Sequence, residues 1–210
     1  MMDQLLILWM KFRIENKYKI EKTKLNYLYK FLSTNKANIL YPKREINSIY
    51  FDNSQMKSYY DSLEGTVPRK KIRLRSYPNK MSKSSNRNYS FEIKINSPEG
   101  KIKVSKKNLN FEKLLKTGFY DFEYGQCYPI VETNYYREYY NLLNFRLTID
   151  KNIKYSKFKK KKYMIPIKDQ IIVEVKSNDI NASNYIDKNF HFEKIRFSKY
   201  CNAIDEIYFS

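Results

Sequence analysis

The feature that most constrains the fold is an alternation of apolar and polar residues that recurs along the chain. Seven stretches show it: residues 12–20, 47–52, 71–77, 90–95, 131–140, 145–150 and 170–176. A period of two residues is typical of β-strands that bury one face, and these stretches are rich in Ile, Val, Tyr and Phe. The sequence therefore predicts a sheet of at least seven strands.

Helical periodicity occupies segments between and after the strand candidates. Four segments carry it: residues 22–33, 54–65, 106–118 and 197–209. Gly65 and Gly118 end the second and third of them, as is common at the C-terminal caps of helices. Because no Pro/Gly/Ser-rich linker or internal repeat divides the sequence, we expect a short N-terminal stub at residues 1–11 and a single domain over residues 12–210.

The N-terminal stub carries an apolar run at positions 5–10. This run is too short to cross a membrane and lacks the basic residues that begin a signal peptide. We therefore expect no transmembrane segment and a cytoplasmic protein, with Met10 as an alternative start to Met1. Cys127 and Cys201 have no metal-binding spacing, which fits a reducing compartment.

The chain is strongly basic, with 41 Lys and Arg against 22 Asp and Glu and a formal net charge of +19. Self-repulsion on this scale opposes compaction, so the charge favours a polyanionic partner or substrate. Nucleic acid, an anionic membrane and phosphate compounds all qualify. The basic run at residues 154–163 is expected to be an exposed, solvated loop.

The charged faces of the strand candidates allow two interpretations. Arg73 and Arg75, two residues apart, aim two guanidinium groups the same way, and such groups match phosphate oxygens. Glu-x-Lys pairs recur at positions 15/17, 92/94 and 174/176. The strands could form an antiparallel sheet with the charged face in water. Alternatively, they could close into a barrel whose inward charged faces form a cationic tunnel, with a few acids for a metal.

Eight motifs in order resemble a known family. They are ENKY, SIYFDNSQMKSYYDSLEG, RKKIRLRSY, FEIK, YYREYY, FRLTID, IIVEVK and FSKYC. Together they resemble the VTC domain, the catalytic module of ATP-driven polyphosphate polymerases in the triphosphate tunnel metalloenzyme superfamily. The resemblance runs from Phe12 to Cys201. It implies an α+β fold in which an eight-stranded antiparallel β-barrel, surrounded by helices, encloses a basic tunnel.

The resemblance also implies a set of site residues. The phosphate-binding residues would be Lys17, Arg73, Arg75, Lys94, Arg137, Arg146 and Lys199. Glu174 would hold a divalent metal ion, Mn²⁺ or Mg²⁺. A second group of candidates consists of Glu15, Glu92, Asp150 and Lys176.

The implied reaction transfers the γ-phosphate of ATP onto a growing inorganic polyphosphate chain, with triphosphate and pyrophosphate as related ligands. Phosphoryl transfer needs positioning and charge neutralisation more than a histidine base, so His191 is expected to be structural or superficial. The inositol-phosphate-sensing and membrane domains of the eukaryotic complexes do not fit in this chain. A separate membrane protein is therefore a candidate partner.

Three other functions stay open at this stage. The first is hydrolysis of tripolyphosphate or nucleoside triphosphates in the same kind of tunnel, with water as the acceptor. The second is nucleic-acid binding, which the charge and the tyrosines permit. No recognisable nucleic-acid-binding motif is present, so we expect no nucleic-acid partner. The third is a polyanion-binding module without turnover.

Overall fold

A computed structural model of the protein describes residues 14–78, 89–98, 100–106, 109–143, 145–160, 170–177 and 180–210, without the side chains of 180–183. The N-terminal stub, with its apolar run and its two candidate start sites, lies outside the described residues. So do the last three residues of the basic run.

Ten strands and five α-helices form among the described residues. The strands are β1 (Ile14–Ile20), β2 (Asn38–Asp52), β3 (Arg69–Ser76), β4 (Tyr89–Ser97), β5 (Gly100–Lys106), β6 (Phe119–Asp121), β7 (Gly125–Leu142), β8 (Phe145–Lys157), β9 (Ile171–Ser177) and β10 (Glu193–Lys194). The helices are α1 (Leu25–Thr34), α2 (Lys57–Glu64), α3 (Phe111–Thr117), α4 (Ile180–Asn189) and α5 (Lys199–Ile204). A 3₁₀ turn at Lys22–Lys24 precedes α1, and a π-helix at Asp205–Phe209 follows α5.

The strands follow the order β10-β1-β9-β8-β7-β2-β3-β4-β5, and β6 pairs with β7. The pairs β1–β9, β8–β9, β2–β3, β3–β4 and β4–β5 are antiparallel. All strands except the short β6 and β10 have at least seven residues, which confirms the predicted α+β class and its eight main antiparallel strands. Among the described residues, the pairings leave β5 and β10 at the two ends of the order.

The chain divides into two compact units. Among the described residues, the first unit lies within positions 14–44, 135–153 and 170–197, and the second lies within positions 45–134, 154–160 and 198–210. The expectation of a single domain over residues 12–210 stays a prediction.

The first unit has a core on one face of β1, β9 and β8. The buried strand residues include Tyr18, Val173 and Leu147, and helices α1 and α4 add Leu28 and Ile186. The 3.6-residue spacing of apolar residues in α1 places its buried side chains on this core. Because one face of each strand is buried here, the alternate residues must face away from the core.

The second unit has a matching core on one face of β2, β3 and β4, covered by α3. Ile72, Leu74 and Phe91 are almost completely buried in it. Helix α3 begins one residue after Asn110, whose side-chain oxygen accepts a hydrogen bond from the backbone N–H of Lys113 at 2.9 Å. The residues between the buried strand positions again face the other way.

The predicted helices are confirmed with altered ends. Helix α2 is followed by Gly65 in a left-handed conformation, φ 87°, as a glycine cap requires. Helix α3 starts at residue 111 rather than 106, because Asn110 provides the N-cap. Helix α4 and strand β5 have no counterpart in the sequence prediction, although β5 alternates Ile102 and Val104 with lysines.

The prediction of a loop over residues 154–163 is wrong at its start. Strand β8 continues to Lys157, and Tyr155 and Ser156 are each 1% exposed. Buried side chains favour continued strand pairing over a solvated loop, even where lysines lie between them.

Candidate functional site

The polar face of the second unit is built by β2, β3, β4 and β5. Tyr50 of β2 lies opposite Arg73 of β3, which lies opposite Glu92 of β4. The next row places Arg75 between Ser48 and Ser90. These rows exist because Ile72 and Leu74 bury the other face of β3.

This face is strongly cationic. Over β3, β4 and β5, the residues that share the side of Arg73 include seven cations: Arg69, Lys71, Arg73, Arg75, Lys94, Lys101 and Lys103. Glu92 is the one carboxylate at the described positions of this side of the three strands. The predicted residues Arg73, Arg75 and Lys94 thus share one face, with Lys94 opposite both Lys71 and Lys103.

Glu92 binds several of these cations at once. Its carboxylate lies 2.6 Å from Arg73 Nη2, 2.7 Å from Lys103 Nζ and 3.9 Å from Arg75 Nη1. Burial alone would raise the pKa of Glu92, but the charges of Arg73 and Arg75 and a hydrogen bond from Lys103 lower this pKa to about 2. Glu92 therefore stays ionised at neutral pH.

Helix α5 contributes to the same unit. Ser198, its N-cap, accepts a hydrogen bond from Lys71 Nζ at 2.9 Å, and Lys199 is its first residue. Tyr200 stacks on Tyr50 with ring centroids 5.3 Å apart. The charges of Arg73, Arg75 and Lys199 outweigh the effect of burial and lower the pKa of Tyr50 below its usual value.

The polar face of the first unit is built by β1, β9 and β8. One row places Lys17 opposite Glu174, and Glu174 opposite Thr148. The neighbouring row consists of Glu15, Lys176 and Arg146. The predicted residues Lys17, Arg146 and Glu174 and the second-group residues Glu15 and Lys176 therefore come together on one face.

Arg137 of β7 is buried between carboxylates of this unit. Its Nε and Nη2 donate to the two carboxylate oxygens of Asp150 at 2.5 and 2.6 Å, and Nη2 lies 3.5 Å from Glu174 Oε2. The charge of Asp150 raises the pKa of Arg137 in spite of burial. A bidentate pair of this kind fixes the guanidinium plane, so Arg137 is oriented before any ligand arrives.

Glu174 and Lys176 form a second ion pair. Lys176 Nζ lies 3.0 Å from a Glu174 oxygen and 3.5 Å from a Glu15 oxygen. Burial would raise the pKa of Glu174. The charges of Lys176, Arg137 and Lys17 nevertheless lower this pKa well below the usual range.

Lys17 and Arg146 have different surroundings. Lys17 Nζ donates to the backbone oxygen of Phe197 at 2.7 Å. The Arg146 guanidinium lies 5.2 Å from the ring centroid of Tyr139. Its buried Nε has no hydrogen-bond partner within the described part of the chain, so Arg146 retains an unused donor.

Two carboxylates of the first unit, Glu174 and Glu15, could contribute ligands to a metal ion. Mg²⁺ is commonly held by one or two carboxylates together with substrate phosphates, and Mn²⁺ also prefers oxygen ligands. Glu174 and Glu15 offer two carboxylates that share Lys176. Across the described ranges, no group of three His, Cys, Asp or Glu side chains could hold a metal alone. Glu174 and Glu15 are therefore the carboxylates of this face that could contribute ligands to an ion.

Sequence reasoning missed several polar groups. Tyr50, Ser198 and Lys71 were not predicted as site residues. The alternation of residues in β2 places Tyr50 on the face opposite Ile49 and Phe51, and this was the available signal for Tyr50. Thr148 was also missed. It is 1% exposed, and its hydroxyl has no hydrogen-bond partner among the residues that the structure describes. Its position between Arg146 and Asp150 in a strand was the available signal.

The comparisons with known proteins agree on family and fold. The family model of the VTC domain matches residues 12–208. A proposed adenylate cyclase from Bacillus halodurans superposes with a TM-score of 0.59 at 13% identity, covering 95% of this chain and 98% of that chain. No curated protein matches the sequence significantly.

Two further solved structures are similar. A proposed adenylyl cyclase from Hippeastrum, reported to have a dominant triphosphatase activity, has a TM-score of 0.52 at 11% identity and covers 92% of this chain and 97% of that chain. A chain of the Schizosaccharomyces pombe Mediator head module has a TM-score of 0.57 at 10% identity and covers 87% of this chain and 96% of that chain. At these identities the likeness shows the fold alone.

Proposed function

Because this chain belongs to the VTC domain family and has the fold of the triphosphate tunnel proteins, we propose that it is an ATP-dependent polyphosphate polymerase. It transfers the γ-phosphate of ATP onto a growing inorganic polyphosphate chain. The observation that carries this proposal is the face of β3, β4 and β5, where seven cations accompany a single carboxylate. Such a face is suited to a ligand with many closely spaced negative charges.

The arginines and lysines would bind phosphate in different ways. Arg73 and Arg75 would each grip phosphate oxygens with a planar guanidinium fork. Lys94 and Lys199 in the same unit would act as point charges. In the first unit Arg137, Arg146 and Lys17 would bind phosphate oxygens, with Arg137 held in orientation by Asp150.

In the chemical step, no side chain of the protein forms a covalent bond with the substrate. A terminal oxygen of the acceptor phosphate attacks the γ-phosphorus, the bond from that phosphorus to the β–γ bridging oxygen breaks, and ADP leaves. The acceptor is already an anion, so no general base is required. The fixed cations stabilise the charge that develops on the transferred group and on the leaving oxygen.

A divalent ion fits the proposed chemistry. Glu174, with Glu15 beside it, would hold Mn²⁺ or Mg²⁺ together with the phosphates. When bound, the ion would neutralise phosphate charge and polarise the phosphoryl group. Lys176, which contacts both carboxylates, would keep them in place.

One comparison favours a second candidate, the hydrolysis of triphosphate compounds. The Hippeastrum protein shares the fold and is reported to act mainly as a triphosphatase. The same cations would position a triphosphate for attack by water. The residues described above serve both reactions, so the acceptor must be identified by assay.

Incubation of the purified chain with ATP and Mn²⁺ separates the two reactions. We expect polyphosphate that runs as a ladder on a gel and disappears on treatment with an exopolyphosphatase. Release of free phosphate without chains would contradict the polymerase and support the hydrolase. If neither product forms although triphosphate binds, the chain is a polyanion-binding module.

A matched pair of variants excludes a contaminating activity. Arg73→Ala should lose most of the product, because it removes a proposed phosphate ligand. Arg69→Ala should lose much less product, because Arg69 lies at the start of the same strand and donates to the backbone oxygens of Gly65 and Thr66. Equal activity of the two variants would contradict the assignment of Arg73.

We further propose a cytoplasmic location and a separate membrane protein as partner for product export. No described helix combines the length and the apolar character needed to cross a membrane. Reconstitution of polyphosphate transport into vesicles, with and without a co-expressed membrane protein, tests the partner.

A further inference from the structure

We propose that the hydroxyl group of Tyr50 donates a hydrogen bond to the phosphate group that Arg73 binds. Tyr50 would then be a phosphate-binding residue in its own right, next to the cations of β3. This inference rests on the proposed function, because it assumes that the face of β3 takes a phosphate compound.

The hydrogen-bond geometry leaves the Tyr50 proton available. Arg73 Nη1 lies 3.2 Å from the Tyr50 hydroxyl oxygen. A guanidinium group has donors and no acceptor, so the phenol must accept in this contact. Within the described ranges, the Tyr50 hydroxyl donates to no protein acceptor. Tyr50 is 5% exposed, so this unused donor is buried on the cationic face.

A buried donor without an acceptor is costly, and buried polar groups in proteins nearly always have a partner. The natural acceptor on this face is an anionic oxygen that Arg73 also binds. A phosphate group has several oxygens, so it can accept from Arg73 and from Tyr50 at the same time. The Arg73 side chain is 19% exposed, which leaves the guanidinium open to such a ligand.

Tyr200 shows the contrasting arrangement. Its ring stacks on that of Tyr50, with centroids 5.3 Å apart and planes 29° apart. The Tyr200 hydroxyl donates to Asp52 at 2.5 Å, and Asp52 also accepts from the backbone N–H groups of Ser58 and Tyr59. One tyrosine of the stacked pair therefore has its proton engaged, and the other does not.

The charges around the pair support this division. Tyr50 is surrounded by Arg73 and Arg75 from β3 and by Lys199 from α5, and their charges lower its pKa despite burial. Glu92 of β4 forms an ion pair with Arg73, which also donates to the Tyr50 hydroxyl. A more acidic phenol is a stronger donor to an anion.

Tyr200 behaves in the opposite way. Burial and the charge of Asp52 raise the pKa of Tyr200 well above the usual value. A phosphate that accepts from Tyr50 must favour the protonated phenol, because a phenolate would repel it. Ligand binding should therefore return a proton to any ionised Tyr50.

The test compares Tyr50→Phe with Tyr200→Phe in binding of sodium tripolyphosphate, measured by calorimetry in the presence of a chelator. We expect Tyr50→Phe to bind about tenfold more weakly than the wild type, which is the loss of one hydrogen bond to a charged group. Tyr200→Phe should melt at a lower temperature, because Asp52 loses a donor, but should keep the wild-type affinity.

A spectroscopic measurement on the wild type gives a second test, with the two variants as controls. At a pH just below the usual tyrosine value of about 10, tripolyphosphate should reduce the phenolate absorbance of the wild type and of Tyr200→Phe. Tyr50→Phe should show no such change. If Tyr50→Phe fails to fold, the absorbance change of the wild type on binding tripolyphosphate still tests the role of Tyr50.

The outcomes separate the inference from the proposed function. If the wild type does not bind tripolyphosphate, the proposed phosphate-binding face is wrong, and the inference with it. If the wild type binds and Tyr50→Phe binds equally well, the role of Tyr50 is wrong and the proposed function stands. An unchanged phenolate absorbance on binding would also overturn the role of Tyr50.

Discussion

The polar faces of the two units carry their charges in different ways. On β1, β9 and β8 of the first unit, three carboxylates accompany four cations: Glu15, Glu174 and Asp150 with Lys17, Lys19, Lys176 and Arg146. On β3, β4 and β5 of the second unit, one carboxylate accompanies seven cations. The first face is nearly balanced internally, whereas the second is strongly cationic.

The difference suggests separate contributions to phosphate chemistry. Carboxylates that hold Arg137 and flank Lys176 fix the geometry of the first face and offer oxygen ligands to a metal ion. Seven cations around Glu92 on the second face raise its affinity for an external polyanion. The first face should therefore matter most for stability, and the second for binding.

The largest expected effect is on stability, at Asp150. Replacement by Asn removes the charge that faces the Arg137 guanidinium in a site where Asp150 is 0% exposed. Breaking a buried ion pair from one side typically costs about 3–5 kcal/mol. Urea unfolding of Asp150→Asn should show a free energy of unfolding lower by that amount.

Asp187→Asn is the matched control for this prediction. Asp187 also forms an ion pair, with Lys194 Nζ at 3.5 Å, but the Asp187 side chain is 44% exposed. An exposed pair contributes at most about 1 kcal/mol. Equal losses in the two variants would contradict the idea that the buried charges of the first face stabilise the fold.

The second effect is on ligand binding, at Arg73 and Arg75. Tripolyphosphate at about 100 times its dissociation constant should add roughly 2.7 kcal/mol to the stability of the wild type. Arg73→Ala or Arg75→Ala should lose most of the resulting rise in melting temperature, because each removes a guanidinium fork from the second face. Differential scanning fluorimetry with a ligand titration measures this rise.

Arg69→Ala should lose much less of this rise than Arg73→Ala, since the Arg69 guanidinium is bound to backbone oxygens. A full response of both Arg73→Ala and Arg75→Ala would refute the assignment of this face to phosphate binding. The difference in charge between the two faces would then have no role in ligand binding.

The sequence predicted the faces of the strands better than their partners. Period-two alternation places Arg73 and Arg75 on one side and Ile72 and Leu74 on the other, because strand geometry leaves no alternative. The ion pairs of Glu92 depend on the register between three strands, which a period does not determine. The stacking of Tyr50 on Tyr200 joins distant parts of the chain and has no local signal.

The family resemblance supplied what periodicity could not. It brought Lys17, Arg146 and Glu174 into one set, and the structure places these three on one face. It did not indicate that Arg137 is already bound by Asp150. The motifs record residue types, whereas this contact depends on the packing of β7 beside β8.

The third expected effect, confined to acid pH, is a loss of stability as Glu92 becomes protonated. Its pKa is about 2 in the folded protein, against a usual value of 4.5. A group whose pKa is lowered on folding stabilises the protein above its unfolded pKa, and this contribution disappears as the pH falls through the folded value. Glu92 should therefore contribute about 3 kcal/mol that is lost between roughly pH 4.5 and pH 2.

A plot of melting temperature against pH should have an acid limb, the fall in melting temperature below about pH 4.5. This acid limb should be shallower for Glu92→Gln than for the wild type. The limb should not vanish, because Glu174 also has a lowered pKa and continues to titrate. At neutral pH the same variant should bind tripolyphosphate more tightly, because Glu92 no longer competes for Arg73 and Arg75. Identical acid limbs in the two proteins would show that the cations of the second face do not hold Glu92 ionised.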